Sequence, residues 1–194
     1  SLKRAGFRHI NLSLGTLDRA ASIRHQRPPA ADHIGSLVAE GRRIGLTATV
    51  HWICGLATDT VASVVETLHY LAALECTSGI SLFYPVPGLR GFSDRGRFPR
   101  PNATLTKGSS AFPWNRSLTT AEMVTAFRLS RLVNLLHDPR PEHRELVQRC
   151  LTTGRLHTRR PDGRIEPVRD DRIDGPMASD FFAGLRIPAT TAGG

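Results

Sequence analysis

Six polar side chains recur at alternate positions of three otherwise apolar segments. They are His9, Asn11 and Ser13 in the first, Thr49 and His51 in the second, and Ser81 in the third. In an extended chain every second side chain shares a face. If the three polar sets turn the same way, they line one surface able to hold water or a ligand by hydrogen bonds. A single histidine at such a position is more often a hydrogen-bonded residue of the interior. Arg24 and Arg27 lie three positions apart, so a helix reaching that far presents both on one face. Cys54, Cys76 and Cys150 pair at no metal-ligand spacing and read as buried free thiols of a reducing cytosol. The short run Lys107-Gly108-Ser109-Ser110 is too unspecific for a phosphate loop.

The elements that must position these groups are legible from pattern. Phe7–Leu14 alternates and predicts a strand with Arg8, Ile10, Leu12 and Leu14 on its other face. A short helix is predicted over Leu17–Gln26, ended by Pro28-Pro29, and a longer one over Ala31–Arg43 with Ile34, Leu37, Val38 and Gly41 inward. Thr47–Leu56 is β-branched and apolar, a second strand. Thr58-Asp59-Thr60 offers short polar side chains to the free N–H groups of a helix start, and Val61, Val64, Val65, Leu68, Leu71 and Ala72 come next at helical spacing. Gly79 reads as a reset before a third strand, Ile80–Tyr84, which Pro85-Val86-Pro87-Gly88 stops. Strands beginning near residues 7, 47 and 80 with helices between them predict a parallel α/β sheet. Function in such sheets sits where strands end, here Gly55–Asp59 and Pro85–Gly88.

Beyond the third strand, residues 89–118 lack regular pattern and read as a long loop or lid. Thr119-Thr120-Ala121-Glu122 has capping-box spacing and starts a helix to about His137, with Val124, Phe127, Leu132, Leu135 and Leu136 inward. Pro141 suits the first turn of another helix ending at Gly154. Pro161-Asp162-Gly163 joins two short strands as a hairpin, Ala178–Leu185 is a last short helix, and residues 188–194 read as a disordered tail.

At 194 residues and 40% apolar composition the chain is long enough for one domain with a core, and no apolar run is long enough to span a membrane. No secretion signal opens it, so a cytoplasmic location is expected. The net charge of +9 comes almost wholly from arginine, since only Lys3 and Lys107 are lysines. The arginines are scattered with no compact basic run, which speaks against a nucleic-acid patch.

Several stretches in order resemble a known superfamily. Asn11-Leu12-Ser13-Leu14 after a strand, Arg24 and Arg27 soon after, Ile53-Cys54-Gly55-Leu56 closing the next strand, and Phe83-Tyr84-Pro85-Val86-Pro87-Gly88 closing the third are similar to the second half of a radical S-adenosylmethionine (SAM) domain. The helix-rich tail with its Asp162-Gly163 turn resembles the region C-terminal to that domain in cobalamin-associated members. The resemblance implies an open, partial triosephosphate-isomerase-type β/α barrel over residues 1–88, the loop at 89–118, and a helical tail region with a hairpin at 119–187. It implies a [4Fe–4S] cluster that reduces SAM to a 5′-deoxyadenosyl radical. Asn11, Ser13 and one of Arg24 and Arg27, with Arg27 the better match, would hold the ribose and methionine part of SAM. A guanidinium fork suits that carboxylate. Ile53, Gly55 and Leu56, then Tyr84, Pro85 and Pro87, would line the adenine.

The family's C-x3-C-x2-C cluster motif is absent. The expected account is the C-terminal part of a longer protein, with cluster ligands outside this chain and the missing N-terminal barrel half as its partner, in the same gene product or another chain. Cobalamin is possible in the full-length protein. The alternative is a basic nucleic-acid-binding or partner-binding module without catalysis. Three cysteines at the family's spacing upstream of Ser1 would decide between them.

Overall fold

The computed structural model describes residues 2–24, 31–85, 111–168, 171 and 173–186. Its centre is a three-stranded parallel sheet in the order β1 (His9–Gly15), β2 (Thr47–Cys54), β3 (Thr77–Leu82). Between β1 and β2 lie α1 (Arg19–Arg24) and α2 (Ala31–Arg43), and α3 (Val61–Ala73) joins β2 to β3. Beyond β3 come α4 (Thr120–Leu136), α5 (Pro141–Thr153), an antiparallel hairpin of β4 (His157–Arg159) and β5 (Ile165–Pro167), and α6 (Gly175–Gly184). The parallel β/α order expected from the sequence is present. Among the described residues the sheet has three strands.

One face of the sheet is a core. Leu14, Ala48, Val50, Trp52, Cys54 and Leu82 are buried there. Helix α2 packs on β1 and β2, α4 packs on β3, and α3 lies against α4 and α6. The other face is open: His9, Asn11, Ser13, Thr47, His51, Thr77 and Ser81 are exposed. A parallel sheet is normally covered on both sides, so this polar face departs from the usual arrangement.

The outer edge of β3 is closed by a side chain. Ser78 N–H donates to Asn134 Oδ1 at 2.6 Å, and Asn134 Nδ2 donates to the Ser78 carbonyl at 3.1 Å. The amide of α4 thus pairs with the strand as a neighbouring backbone would. The Ser78 hydroxyl extends the link inward, accepting from Trp52 Nε1 at 3.0 Å and lying 2.8 Å from Ser130 Oγ. Ser78 and Ser130 are buried, and their polar atoms are satisfied, as a low-dielectric interior requires.

Several local expectations are corrected. β3 starts at Thr77 rather than Ile80, and Gly79 lies inside it. Gly79 makes room for its neighbour, since a Cβ there would come within 2.6 Å of His51 Nδ1. α1 starts at Arg19 because Asp18 Oδ1 accepts from Ala20 and Ala21 N–H. Leu37 is exposed although it falls on the apolar stripe of α2. α4 buries Met123, Ala126, Leu129 and Val133, while Phe127 is exposed. α6 begins at Gly175 because Asp174 caps it, accepting from Met177 N–H at 2.7 Å. Most of the loop expected at 89–118 and the tail expected at 188–194 lie outside the described residues. Among the described residues, no helix is long and apolar enough to cross a membrane.

Replacing Asn134 with Ala leaves the Ser78 N–H and C=O at a covered strand edge. We expect a loss of about 1–3 kcal/mol, read by urea unfolding. A loss no larger than that of an exposed control such as Gln148→Ala would refute the edge-pairing role.

Candidate functional site

The open face and the rim at its carboxyl end form the candidate site. Parallel pairing brings the strand ends to one side of the sheet: Ser13 pairs with His51, Gly15 with Trp52, Ile53 with Ser81 and Cys54 with Leu82. Two rows of residues cross the face, Asn11–Thr49–Thr77 and Ser13–His51–Gly79. His51 Nε2–H donates to Asn11 Oδ1 at 3.1 Å, which sets the tilt of both side chains. Thr47 Oγ1 donates to the Arg8 carbonyl and accepts from His9 Nδ1–H at 2.7 Å. The face is therefore a set of cross-linked, solvent-facing hydrogen-bonding groups.

At the rim, the turn after β2 is held on every polar side. Asp59 Oδ2 accepts from Gly55 N–H at 2.7 Å and Leu56 N–H at 2.9 Å. Asn115 Nδ2 donates to the Gly55 carbonyl and Ser117 Oγ to the Leu56 carbonyl, each at 2.8 Å. Gly55 adopts φ 96°, a left-handed conformation that disfavours a side chain. A Cβ there would also lie 3.0 Å from Met123 Cε. The chain leaving β3 adds one more tie, Phe83 N–H to the Cys54 carbonyl at 2.8 Å.

Burial pushes the Asp59 carboxyl above the ordinary carboxylate range; the N–H bonds of Leu56 and Gly55 pull the other way, and Asp18 adds to the rise. Of the helix-start triplet Thr58-Asp59-Thr60, the residue that caps α3 is Thr60, which accepts from Ser63 N–H at 3.2 Å. Asp59 reaches backward instead, to the turn that precedes it. Asn115 and Ser117 carry no sequence signal, because their partners are about sixty residues away in the chain.

The expected site residues are distributed over the face, the rim and the chain beyond them. Asn11 and Ser13 stand on the open face, and Ile53 is half-buried beside Ser81. Gly55 and Leu56 are buried in the clamped turn; Tyr84 is exposed just beyond β3, and Pro85 is buried. Arg24 ends α1, and its side chain, like Arg27 and Pro87, lies outside the described residues. The three thiols are buried and pushed up by burial, Cys76 to about 11, so they stay protonated near neutrality. Among the described residues, no group of three His, Cys, Asp or Glu side chains is placed to hold a metal ion.

No protein-family model, curated protein or solved structure matches the chain. Among the described residues, fold and site define a mixed α/β protein with a parallel three-stranded sheet and a polar exposed face.

Asp59→Ala leaves two buried N–H groups without an acceptor and is expected to cost about 2–4 kcal/mol. A raised carboxyl pKa favours folding of the protonated form. That contribution is present in full below the ordinary value of about 4 and is lost as pH climbs through the folded value. The stability of the wild type relative to Asp59→Asn should accordingly be greater near pH 4 than near neutrality. A difference that stays flat or grows with pH would contradict the assignment.

Proposed function

We propose that this chain contributes three strands and the helical tail of a radical SAM enzyme, and that its open face and rim hold SAM. One observation supports the reading: among the described residues a parallel sheet leaves a polar, hydrogen-bonded face exposed, with the strand ends gathered beside it. Such a face suits the wall of a lumen that further strands would close. β1 has no strand neighbour on its outer side among the described residues. An edge of this kind invites a partner strand, here the N-terminal barrel half.

Asn11 and Ser13 offer an amide and a hydroxyl to the ribose and methionine part. Ile53 and Tyr84 would give the flat ring apolar surface, with Pro85 stiffening the chain beyond β3; Gly55, buried with its N–H and C=O both taken, shapes the turn behind them. Arg24 or Arg27 would pair with the carboxylate. The Gly55–Leu56 turn gains from its four hydrogen bonds a fixed shape before any ligand arrives, which lowers the ordering cost of binding.

The thiols here do not suit a cluster, being buried and protonated, so the cluster ligands belong to the N-terminal half. The cluster supplies the electron that cleaves SAM. This chain binds, orients and shields. Cobalamin would enter only with the complete protein.

The test uses this chain together with its upstream half, purified anaerobically. We expect about four iron and four sulfide per chain, SAM binding by calorimetry, and roughly tenfold weaker binding for Ser13→Ala with iron content unchanged. A longer protein with no cluster, or one whose SAM affinity ignores both Ser13→Ala and Asn11→Ala, would overturn the proposal.

A further inference from the structure

A second, open cavity lies between the end of β3 at Leu82, α4, α5 and the hairpin, with a volume of about 750 Å³. That is within the range of small-molecule sites. Its wall is apolar: Phe127, Leu132 and Leu135 of α4, Leu146 of α5, and Leu156 and Val168 flanking the hairpin. The stripe of α4 that reads most strongly as a core stripe in the sequence therefore faces a cavity. Phe127 is 40% exposed there, an unusual position for a large aromatic.

The charge in the cavity wall is all of one sign. Arg128 and Arg131 line it, and among the described residues no Asp or Glu does. Arg128 already has a contact of its own. Arg131 lies over the Phe127 ring, its guanidinium carbon 5.6 Å from the centroid. Among the described residues it has no carboxylate partner. A cation–π contact holds a guanidinium flat without using its N–H donors. One planar fork, held at the edge of a greasy wall, matches one planar carboxylate.

We infer that this cavity binds an amphipathic carboxylate, its alkyl body against Phe127, Leu135 and Leu146 and its head on Arg131. The inference stands independently of the SAM reading, because it uses none of the same residues and needs no cluster. It names a fatty-acid-like ligand for a face that otherwise exposes apolar side chains.

The experiment is a calorimetric titration of the whole chain with decanoate, with acetate as the head alone and decanol as the body alone. We expect saturable one-to-one binding of decanoate and none of acetate, with decanol bound about tenfold more weakly. Arg131→Gln, an exposed change that leaves the core intact, should weaken decanoate about tenfold and leave decanol unaffected. Leu146→Trp, which intrudes on the apolar wall, should weaken both. Should that variant fail to fold by circular dichroism, Arg131→Gln decides alone. Absence of saturable binding overturns the inference, as does equal affinity for decanoate and decanol, or an affinity indifferent to Arg131. Self-association that Leu146→Trp disrupts and decanoate does not compete with would assign the face to a second copy of the chain and overturn it as well.

Discussion

Backbone groups that no further strand receives must find partners elsewhere, and that requirement organises this molecule. A buried N–H or C=O without a partner costs as much as a lost hydrogen bond. At the covered edge of β3, Asn134 takes both groups of Ser78. At the end of β2, Asp59 takes the two N–H groups of the Gly55–Leu56 turn, and Asn115 and Ser117 take its two carbonyls. Three of these four side chains come from the stretch leading into α4 or from α4 itself. The helical region therefore completes the sheet as well as packing on it, and the two parts form one hydrogen-bonded unit.

The same accounting separates the two faces of the sheet. Trp52 and Ser78 on the covered face are polar only where a partner is supplied. His9, Asn11 and His51 on the open face are paired across strands yet stay exposed. The covered face is a core and the open one a wall with hydrogen-bonding capacity. The rim beside it is stiff because its turn is held from both strand and tail. A ligand reaching that rim meets groups already in place. The cavity bordered by α4, α5 and the hairpin is of another kind, apolar with the Arg131 fork at its edge, so the two regions would recognise different chemistries.

Much of the fold could be read from pattern because burial imposes periodicity. Alternation across His9–Ser13 and Thr49–Cys54 separates wall from core residue by residue, and the structure keeps that separation. Proline and glycine mark α5, and capping residues mark the start of α4. The failures share a cause. Gly79 reads as a break in one dimension but is a gap for the His51 ring in three. Phe127 reads as core because it is large and apolar, yet which stripe of α4 is buried depends on what packs against it. Leu37 misleads in the same way.

The sequence alone determined the order of strands and helices, the polar and apolar faces of the sheet, and the absence of a cysteine triad, because each depends on neighbours within a few positions. Tertiary structure decided the rest. It turned Asp59 back on the Gly55 turn, set Asn134 against Ser78, brought Asn115 and Ser117 to the rim, and left the apolar stripe of α4 facing a cavity. These contacts join segments up to about sixty residues apart. A chain carries no local mark of which distant amide will meet which carbonyl. Only the packing of the helical region on the sheet makes that choice.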